Sequence, residues 1–264
     1  EKFKEFLDQP TNQSLKTRYY KPNGAAEPAQ TLREIGNISK TQGFVAYIYA
    51  DGNNMGSYIQ KEINTPKEYQ QFSADIFNAL QFSVFLALAE HLQVRELKGL
   101  NDPDNIDRNG NWIHPFEIVT IGGDDVLLIV PADVALSIAK TIGDAFGSYL
   151  IGIQLGENNS IYLADKAYDS KSVHRYQSPK NPTDDQQCTL SVSIGVLVTA
   201  EDTPIYYANK LVDQLLKSAK KRAKELRQKN YLGGTIDFLT LKSVTMLSDK
   251  IEAFRKEGLT KEIR

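Results

Sequence analysis

The stretch TIGGDDVLLIVP, residues 120–131, places two glycines and two aspartates between two strongly apolar runs. Residues 115–121 and 126–131 have the composition of buried β-strands, and Gly122-Gly123 between them suits a two-residue turn that needs positive φ. The stretch therefore predicts a β-hairpin that carries Asp124 and Asp125 at its mouth.

The elements around the hairpin indicate the fold class. Residues 43–50 (GFVAYIYA) predict a buried strand, and residues 65–94 predict a long helix that begins with a capping box at Thr65 and Glu68. Helices are also predicted at 132–150 and 203–229, and strands at 189–198 and 233–241. The order predicts an α+β fold with a ferredoxin-like βαββαβ core, antiparallel at its centre, with helices on one face. A C-terminal helix–strand–helix extension follows this core.

Three segments are expected along the chain. Residues 1–42 are polar and rich in proline, which predicts an N-terminal tail or linker with one short helix at about 2–8. Residues 43–240 form the main domain, with a loop at 99–113 and a polar insertion at about 156–187. Residues 241–264 are predicted to form a C-terminal helix. Because the chain begins with Glu, we expect it to be a fragment of a longer protein.

Three acids are expected to meet at one end of the sheet. Asp51 ends the first strand, and in a βαββαβ sheet that strand lies beside the hairpin with Asp124 and Asp125. Clustered carboxylates repel one another unless cations compensate, and Mg²⁺ or Mn²⁺ are the hard dications that suit oxygen ligands. Two such ions can hold a triphosphate and activate a 3′-hydroxyl for in-line attack. Because adjacent strand residues point to opposite faces, Asp124 and Asp125 are expected to differ in role.

The loop DGNNMG, residues 51–56, is a candidate phosphate site, because it leads into a helical turn with free backbone N–H groups. Asn53 and Asn54 suit ordinary turn positions equally well. The glycines of the hairpin also leave room for a substrate. The basic residues of the 203–229 helix, Lys220 excepted, are interpreted as a solvated face, and Ser193 and Gly195 as plain strand residues.

Composition excludes several classes. The chain has 264 residues, a net charge of −2 and one cysteine, Cys188, so it has no global basic field for nucleic acid and no cysteine-based zinc site. The scattered histidines show no ligand spacing. The longest apolar run, 77–92, is broken by polar residues, so we expect a cytoplasmic protein without a membrane partner.

The motifs YADGNNMG, IGGDDVLLIVP, SVSIGV and LLKSAKKRAK resemble the palm domain of the large polymerase–cyclase subunit of type III CRISPR effector complexes. The resemblance covers roughly residues 43–240. More distantly, the chain is similar to GGDEF diguanylate cyclases and class III nucleotide cyclases. A stand-alone or single-palm relative of the CRISPR subunit fits the same motifs.

The resemblance implies a palm that binds ATP with Mg²⁺ or Mn²⁺ and makes cyclic 3′–5′ oligoadenylates, a second messenger in antiviral defence. It implies that Asp51, Asp124 and Asp125 bind metal and are catalytic. It implies nucleotide contacts for the following residues: Gly52, Asn53, Asn54, Gly122, Gly123 and Lys220. Since cyclisation needs two facing nucleotides, the implied partners are a second palm, in a homodimer or a larger protein, and the other subunits of an RNA-guided CRISPR complex.

Two alternatives stay open. A diguanylate cyclase would use GTP, but Asp125 and Val126 replace the Glu-Phe of the GGDEF motif. A catalytically degenerate palm would bind nucleotide and act as a scaffold, although a scaffold does not need three clustered acids.

Overall fold

The computed structural model describes residues 1–21, 23–153, 160–164, 187–242, 250–253 and 255. The α-helices are α1 (Lys2–Asp8), α2 (Gln13–Tyr19), α3 (Leu32–Ile38), α4 (Met55–Glu62), α5 (Pro66–His91), α6 (Ala135–Gly152) and α7 (Ile205–Arg227). The β-strands are β1 (Glu27–Pro28), β2 (Phe44–Asn53), β3 (Arg95–Glu96), β4 (Trp112–His114), β5 (Glu117–Gly122), β6 (Asp125–Pro131), β7 (Leu163–Ala164), β8 (Gln187–Cys188), β9 (Ser191–Ala200) and β10 (Ile236–Thr240).

A five-stranded sheet in the order β10-β9-β2-β6-β5 lies at the centre of the protein. β2 pairs antiparallel with both β6 and β9, and β6 pairs antiparallel with β5. Counted along the chain, the four core strands therefore lie in the order fourth, first, third, second, which confirms the predicted ferredoxin-like βαββαβ fold. β10 joins the edge parallel to β9 after the crossover helix α7.

Helices cover both faces of this sheet. α5 and α6 pack on the face that carries Ala46, Ile48 and Ala50, whereas α7 packs on the opposite face, against Val45 and Tyr47. The prediction of helices on one face is correct for the βαββαβ unit and wrong for the whole sheet. The reason is that β2 is apolar on both sides, so its second face also needs cover. α7 therefore brings its side chains to the face where Tyr47 lies.

The long helix α5 begins with the predicted capping box. Thr65 Oγ1 accepts a hydrogen bond from the Glu68 N–H at 3.2 Å, and the Glu68 carboxylate accepts one from the Thr65 N–H at 3.0 Å. Such a cap contributes about 1 kcal/mol to helix stability. The stretches Pro66–His91 and Ala132–Gly152 are long and apolar enough, by length and composition alone, to cross a membrane. α5 and α6 pack together on the central sheet, as core helices do.

Residues 1–21 and 23–42 are folded onto the core, so the prediction of a tail or linker after one short helix is wrong. The predicted helix is α1, and its Phe3 and Leu7 are buried together with Tyr19 of α2. α3 follows, and its Glu34 forms a buried ion pair with Arg108, Nε to Oε1 2.8 Å. Buried aromatic rings and ion pairs, among them those of Arg108 with Glu34 and Glu27, hold this segment, and such anchors escape an interpretation based on apolar periodicity.

Two other predicted regions differ in detail from the structure. The loop predicted at 99–113 contains a 3₁₀ helix, Ile106–Arg108, and leads into β4, which pairs with β1 and β3. Of the predicted insertion at 156–187, residues 160–164 and 187 are described, and β7 pairs antiparallel with β8. Of the predicted C-terminal helix, residues 251–253 and 255 are helical, and most of the remainder lies outside the described residues.

Candidate active site

Asp51 and Asp125 are direct partners across the antiparallel strands β2 and β6. Directly opposed residues project from the same face of a sheet, with Cβ atoms about 4.5–5.5 Å apart. α7 covers this face. Tyr49 lies two residues before Asp51 on β2 and therefore on the same face, and it packs against the buried cluster that includes Leu211 and Leu215 of α7. The pairing of β2 with β6 thus places Asp51 opposite an acid of the hairpin.

The hairpin turn consists of Gly123 and Asp124, because Gly122 pairs with Asp125 across it. The predicted turn at Gly122-Gly123 is therefore wrong by one residue. Gly123 has a φ of +55°, which favours glycine. No heavy atom lies within 4 Å of a Cβ built on Gly122, and its φ is outside the left-handed region. Neither the turn nor packing requires a glycine at 122, and the space above it is open.

Asp124, at the tip of the hairpin, is held against β2. Its carbonyl oxygen accepts a hydrogen bond from the Gly52 N–H at 3.0 Å. A Cβ on Gly52 would lie 2.7 Å from Asp124 Oδ2 and 2.5 Å from Met55 Cε, so a side chain at 52 would displace both. Since its N–H is already occupied, Gly52 does not offer the phosphate contact that the sequence suggested. Its role is to let the Asp124 carboxylate approach.

Lys220 of α7 extends its side chain to Asp51 at the end of β2. Its Nζ lies 2.6 Å from Asp51 Oδ2. α7 runs close to β9 at Gly195, where a Cβ would lie 2.6 Å from both the Leu216 nitrogen and the Val212 carbonyl oxygen. The glycine in β9 thus sets the distance at which Lys220 meets the acids.

The electrostatics of the site change the proton affinity of Asp124 and of Tyr49. Burial raises the pKa of the Asp124 carboxyl, and the charge of Asp51 raises it further, while Lys220 lowers it. Burial also raises the pKa of Tyr49, and the neighbouring charge of Asp125 adds to that effect. Asp124 therefore holds a proton more readily than an ordinary aspartate does, and Asp125 lies beside a tyrosine.

The two asparagines after Asp51 have different surroundings. The Asn53 amide donates hydrogen bonds to Ser193 Oγ at 2.8 Å and Ser191 Oγ at 3.1 Å, so its donors tie β2 to β9. Asn54 adopts the left-handed conformation with φ of 68° at the start of α4, and its exposed side chain does not cap the helix. The helical turn expected after the loop is present, and the Asn54 side chain is exposed at its start, whereas the Asn53 amide nitrogen is occupied by two serines.

The carboxylates fit a hard dication by their chemistry. Oxygen donors on adjacent strands suit Mg²⁺ or Mn²⁺. Burial raises the pKa of Asp124 and the charge of Asp51 raises it further, and a cation would neutralise that charge. Within the described ranges, no group of three His, Cys, Asp or Glu side chains converges closely enough to hold a metal ion. Lys220 pairs with Asp51 instead, so metal binding by Asp51, Asp124 and Asp125 stays a prediction.

The sequence reading missed two contributors to this site. Tyr49 shares a face with Asp51, and period-two alternation along β2 was the available signal. Ser193, taken as a plain strand residue, is the register partner of Asp51 and accepts from Asn53. Its partner on β2 depends on strand pairing, which no local pattern encodes.

A family model described as Cas10/Cmr2, second palm domain, matches residues 44–233. No curated protein matches the chain. Csm1 from T. onnurineus is similar in structure, with 16% identity and a TM-score of 0.47 over 75% of this chain and 23% of that one. A Csm1–Csm4 cassette in complex with cA4 gives 16% identity and a TM-score of 0.46 over 72% and 21%.

The GGDEF domain of DgcB from Caulobacter crescentus, in complex with c-di-GMP, is more distant, with 9% identity and a TM-score of 0.38 over 74% of this chain and 77% of that domain. This chain spans about a fifth of the length of the Csm1 chains that it matches. The fold is that of a palm of the nucleotide cyclase type. The chain belongs to the Cas10/Cmr2 second palm domain family.

Proposed function

We propose that this chain is a catalytic palm that converts ATP into cyclic 3′–5′ adenylates, a second messenger of antiviral CRISPR defence. One observation carries the proposal. Two carboxylates, Asp51 and Asp125, are register partners, and a third, Asp124, lies at the tip of the same hairpin with its carboxylate against Gly52. Membership in the Cas10/Cmr2 palm family supports it.

The proposed reaction is an in-line displacement at phosphorus. The 3′-hydroxyl oxygen of one nucleotide bonds to the α-phosphorus of an ATP, and the bond from that phosphorus to the bridging oxygen breaks. Pyrophosphate leaves with the electron pair, and the hydroxyl proton passes by way of a carboxylate to solvent. Since a raised pKa makes a carboxylate a better base, Asp124 is suited to polarise the hydroxyl.

The other residues bind and orient. Lys220 is placed to contact the phosphates once it leaves Asp51, and Gly122 and Gly123 leave room for the nucleotide. Asn54, with its exposed amide, is the asparagine placed for a polar nucleotide contact. Asp51, Asp124 and Asp125 would hold Mg²⁺ or Mn²⁺, which supplies charge neutralisation on the phosphates and acidifies the attacking hydroxyl.

Cyclisation requires a second nucleotide that faces the first. We propose that a second palm supplies it, either in another copy of this chain or in a longer protein of which this chain is a part. Several of the Csm1 neighbours were solved as complexes with Csm4. By analogy, we propose that this palm works within an RNA-guided CRISPR complex.

The test is an assay of purified protein with Mg²⁺ or Mn²⁺ and each of the four nucleoside triphosphates. Pyrophosphate release and mass spectrometry of the products are the readouts. We expect a cyclic 3′–5′ adenylate from ATP, and its loss in the double variant Asp124→Ala, Asp125→Ala. Asp144→Ala, an exposed acid on α6 that pairs with Lys140, is the matched control and should stay active.

Each contrary outcome identifies a different error. Activity in the double variant would make the site assignment wrong. Consumption of GTP in place of ATP would favour the diguanylate cyclase alternative. Nucleotide binding without pyrophosphate release, with a second palm present, would favour a palm that acts as a scaffold.

A further inference from the structure

A separate cavity of about 450 Å³ lies between α4 and the C-terminal end of α7. Its lining includes Asn54, Ser57, Ile161, Leu163, Thr189 and Arg227. This space, the α4–α7 cavity, has a size that suits a small-molecule ligand. Of these lining residues, Asn54 is the one for which the sequence analysis expects a nucleotide contact.

The α4–α7 cavity is on the side of β2 away from the glycine hairpin. β2 lies between β6, which belongs to the hairpin, and β9, and Thr189 immediately precedes β9. Arg227 follows Lys220 by seven residues on α7, so both project from similar sides of the helix, about 10 Å apart along its axis. Arg227 at the cavity thus follows Lys220, the cation that pairs with Asp51, along the same side of α7.

Arg227 is a half-buried guanidinium without a counter-charge. In the part of the chain that the structure describes, its side chain has no hydrogen bond or ion pair, whereas Arg108 and Arg255 each contact a carboxylate. Burial alone lowers the pKa of Arg227, with no acid to offset that effect. Arginine stays protonated in proteins, so the fold keeps a partly desolvated cation facing a cavity. A partly desolvated cation destabilises the fold unless a ligand of opposite charge pairs with it.

The Thr189 hydroxyl is a second unpaired polar group among the residues that line the cavity. Its Oγ1 is buried and has no hydrogen-bond partner among the described residues. Buried hydroxyls are paired as a rule, and each exception needs an explanation. Because the Thr189 hydroxyl is buried, its side chain has to rotate towards the cavity before a ligand oxygen can accept from it as well as from the Arg227 guanidinium.

The walls of the cavity are fixed by buried contacts. Tyr162, which is 1% exposed, donates from its hydroxyl to Asp75 Oδ2 at 2.8 Å and so fastens the 160–164 segment to α5. The Gln187 Oε1 accepts from the Leu232 N–H at 2.8 Å and fastens the wall beyond α7. The cavity is therefore held open by the fold, as a binding site needs to be.

The charge of the lining selects an anion. Lys61 adds a second cation, and Glu62 is the carboxylate among the lining residues. A guanidinium fork beside a hydroxyl donor is a common arrangement for phosphate oxygens. Ile161 and Leu163 give an apolar wall against which a sugar or base can lie.

We propose that the α4–α7 cavity binds a phosphate group of a nucleotide through Arg227 and Thr189, as a subsite beyond the carboxylates. The nucleotide identity of the ligand rests on the proposed function, whereas the anion site does not. The phosphate comes either from a single nucleotide or from the phosphodiester of a growing chain.

Binding without turnover tests this inference. Isothermal titration in EDTA, in a Lys220→Ala background that removes the other proposed phosphate contact, would use inorganic phosphate, AMP and the linear dinucleotide pApA. We expect saturable binding that Arg227→Gln weakens at least 10-fold and Thr189→Val about 3- to 10-fold. Arg222→Gln is the matched control, because Arg222 is exposed on the same helix and pairs with Glu225, and its affinity should be unchanged.

The results separate the ligand sources and the two proposals. Tighter binding of AMP supports a single nucleotide, and tighter binding of pApA supports a growing chain. Because Arg227 has no partner to lose, Arg227→Gln should keep or raise the Tm, and a large fall would overturn the inference. Wild-type affinity in both Arg227→Gln and Thr189→Val would also overturn it. Binding that persists in a protein without turnover would reject the proposed function alone.

Discussion

Lys220 and Asp51 form an ion pair, Nζ to Oδ2 2.6 Å, that joins α7 to the end of the first core strand. A bare cluster of acids would repel itself, and this lysine is the charge that offsets it. The pair links a helix of the C-terminal extension to the βαββαβ core, so the extension is part of the site.

Removal of Lys220 should shift the pH dependence of the reaction. Lys220 lowers the pKa of Asp124, so in Lys220→Met the pKa of Asp124 rises and a higher pH is needed to ionise it. The acid limb of the pH–rate profile should move to higher pH, and the rate at pH 8 should fall about 10- to 100-fold. Pyrophosphate release from pH 5 to 9 measures both. Lys217→Met, at an exposed lysine paired with Asp213, should change neither.

Asp124→Asn should stabilise the protein at neutral pH. Burial and Asp51 raise the pKa of Asp124 in the folded state above its ordinary value of 3.8, so ionised Asp124 destabilises the fold. That cost is present above the folded pKa and disappears as the pH falls towards 3.8. In EDTA at pH 7.5 we expect a gain of about 1 kcal/mol, or about 2–4 °C in Tm, by calorimetry. An equal gain at pH 3 would contradict this origin.

Divalent cations should stabilise the wild-type protein. A ligand present at 100 times its dissociation constant adds about 2.7 kcal/mol to the free energy of unfolding. Addition of Mn²⁺ at millimolar concentration should therefore raise the Tm by about 5 °C or more, and EDTA should reverse the rise. Asp51→Asn with Asp125→Asn should abolish the effect, whereas Asp144→Asn should retain it. A rise of equal size in the double variant would place the cation elsewhere.

Two glycine substitutions should have opposite consequences. Gly122→Ala meets no atom within 4 Å, so its stability should stay within about 0.5 kcal/mol of wild type while ATP turnover falls at least 10-fold. Gly195→Ala places a Cβ 2.6 Å from the α7 backbone and should destabilise by about 1–3 kcal/mol. Urea titration and pyrophosphate release separate the two effects. Full activity in Gly122→Ala would mean that the space is not used by the nucleotide.

Local patterns predicted much of the fold. The capping box at Thr65 and the order of strands and helices were sufficient to predict α5 and the ferredoxin-like sheet. They failed for residues 1–42, where the fold depends on distant partners such as the Glu34–Arg108 pair, whose two residues are far apart in sequence. They also failed for the second face of the sheet, because apolar residues in β2 do not specify which helix covers them.

The candidate site, like the fold, was predicted in part from local patterns. Asp51 and the hairpin acids were predicted to meet, and the β2–β6 register brings Asp51 opposite Asp125. The one-residue error in the turn arose because both glycines looked suitable, while only Gly123 has positive φ. Arg227 and Thr189 were missed because an unpaired group is defined by what surrounds it, and that becomes visible only in three dimensions.

The close contact of Gly195 with α7 bears on how chains of this kind are recognised. The tetrad Gly122 to Asp125 is short, and by itself it says nothing about whether a lysine can reach the acids. A chain with the same tetrad but a bulky residue at the β9 position opposite Tyr49 would hold its helix farther away, beyond the reach of that lysine. A search for active palms should therefore require a small residue in that strand together with the tetrad, and a transplanted hairpin without it should be inert.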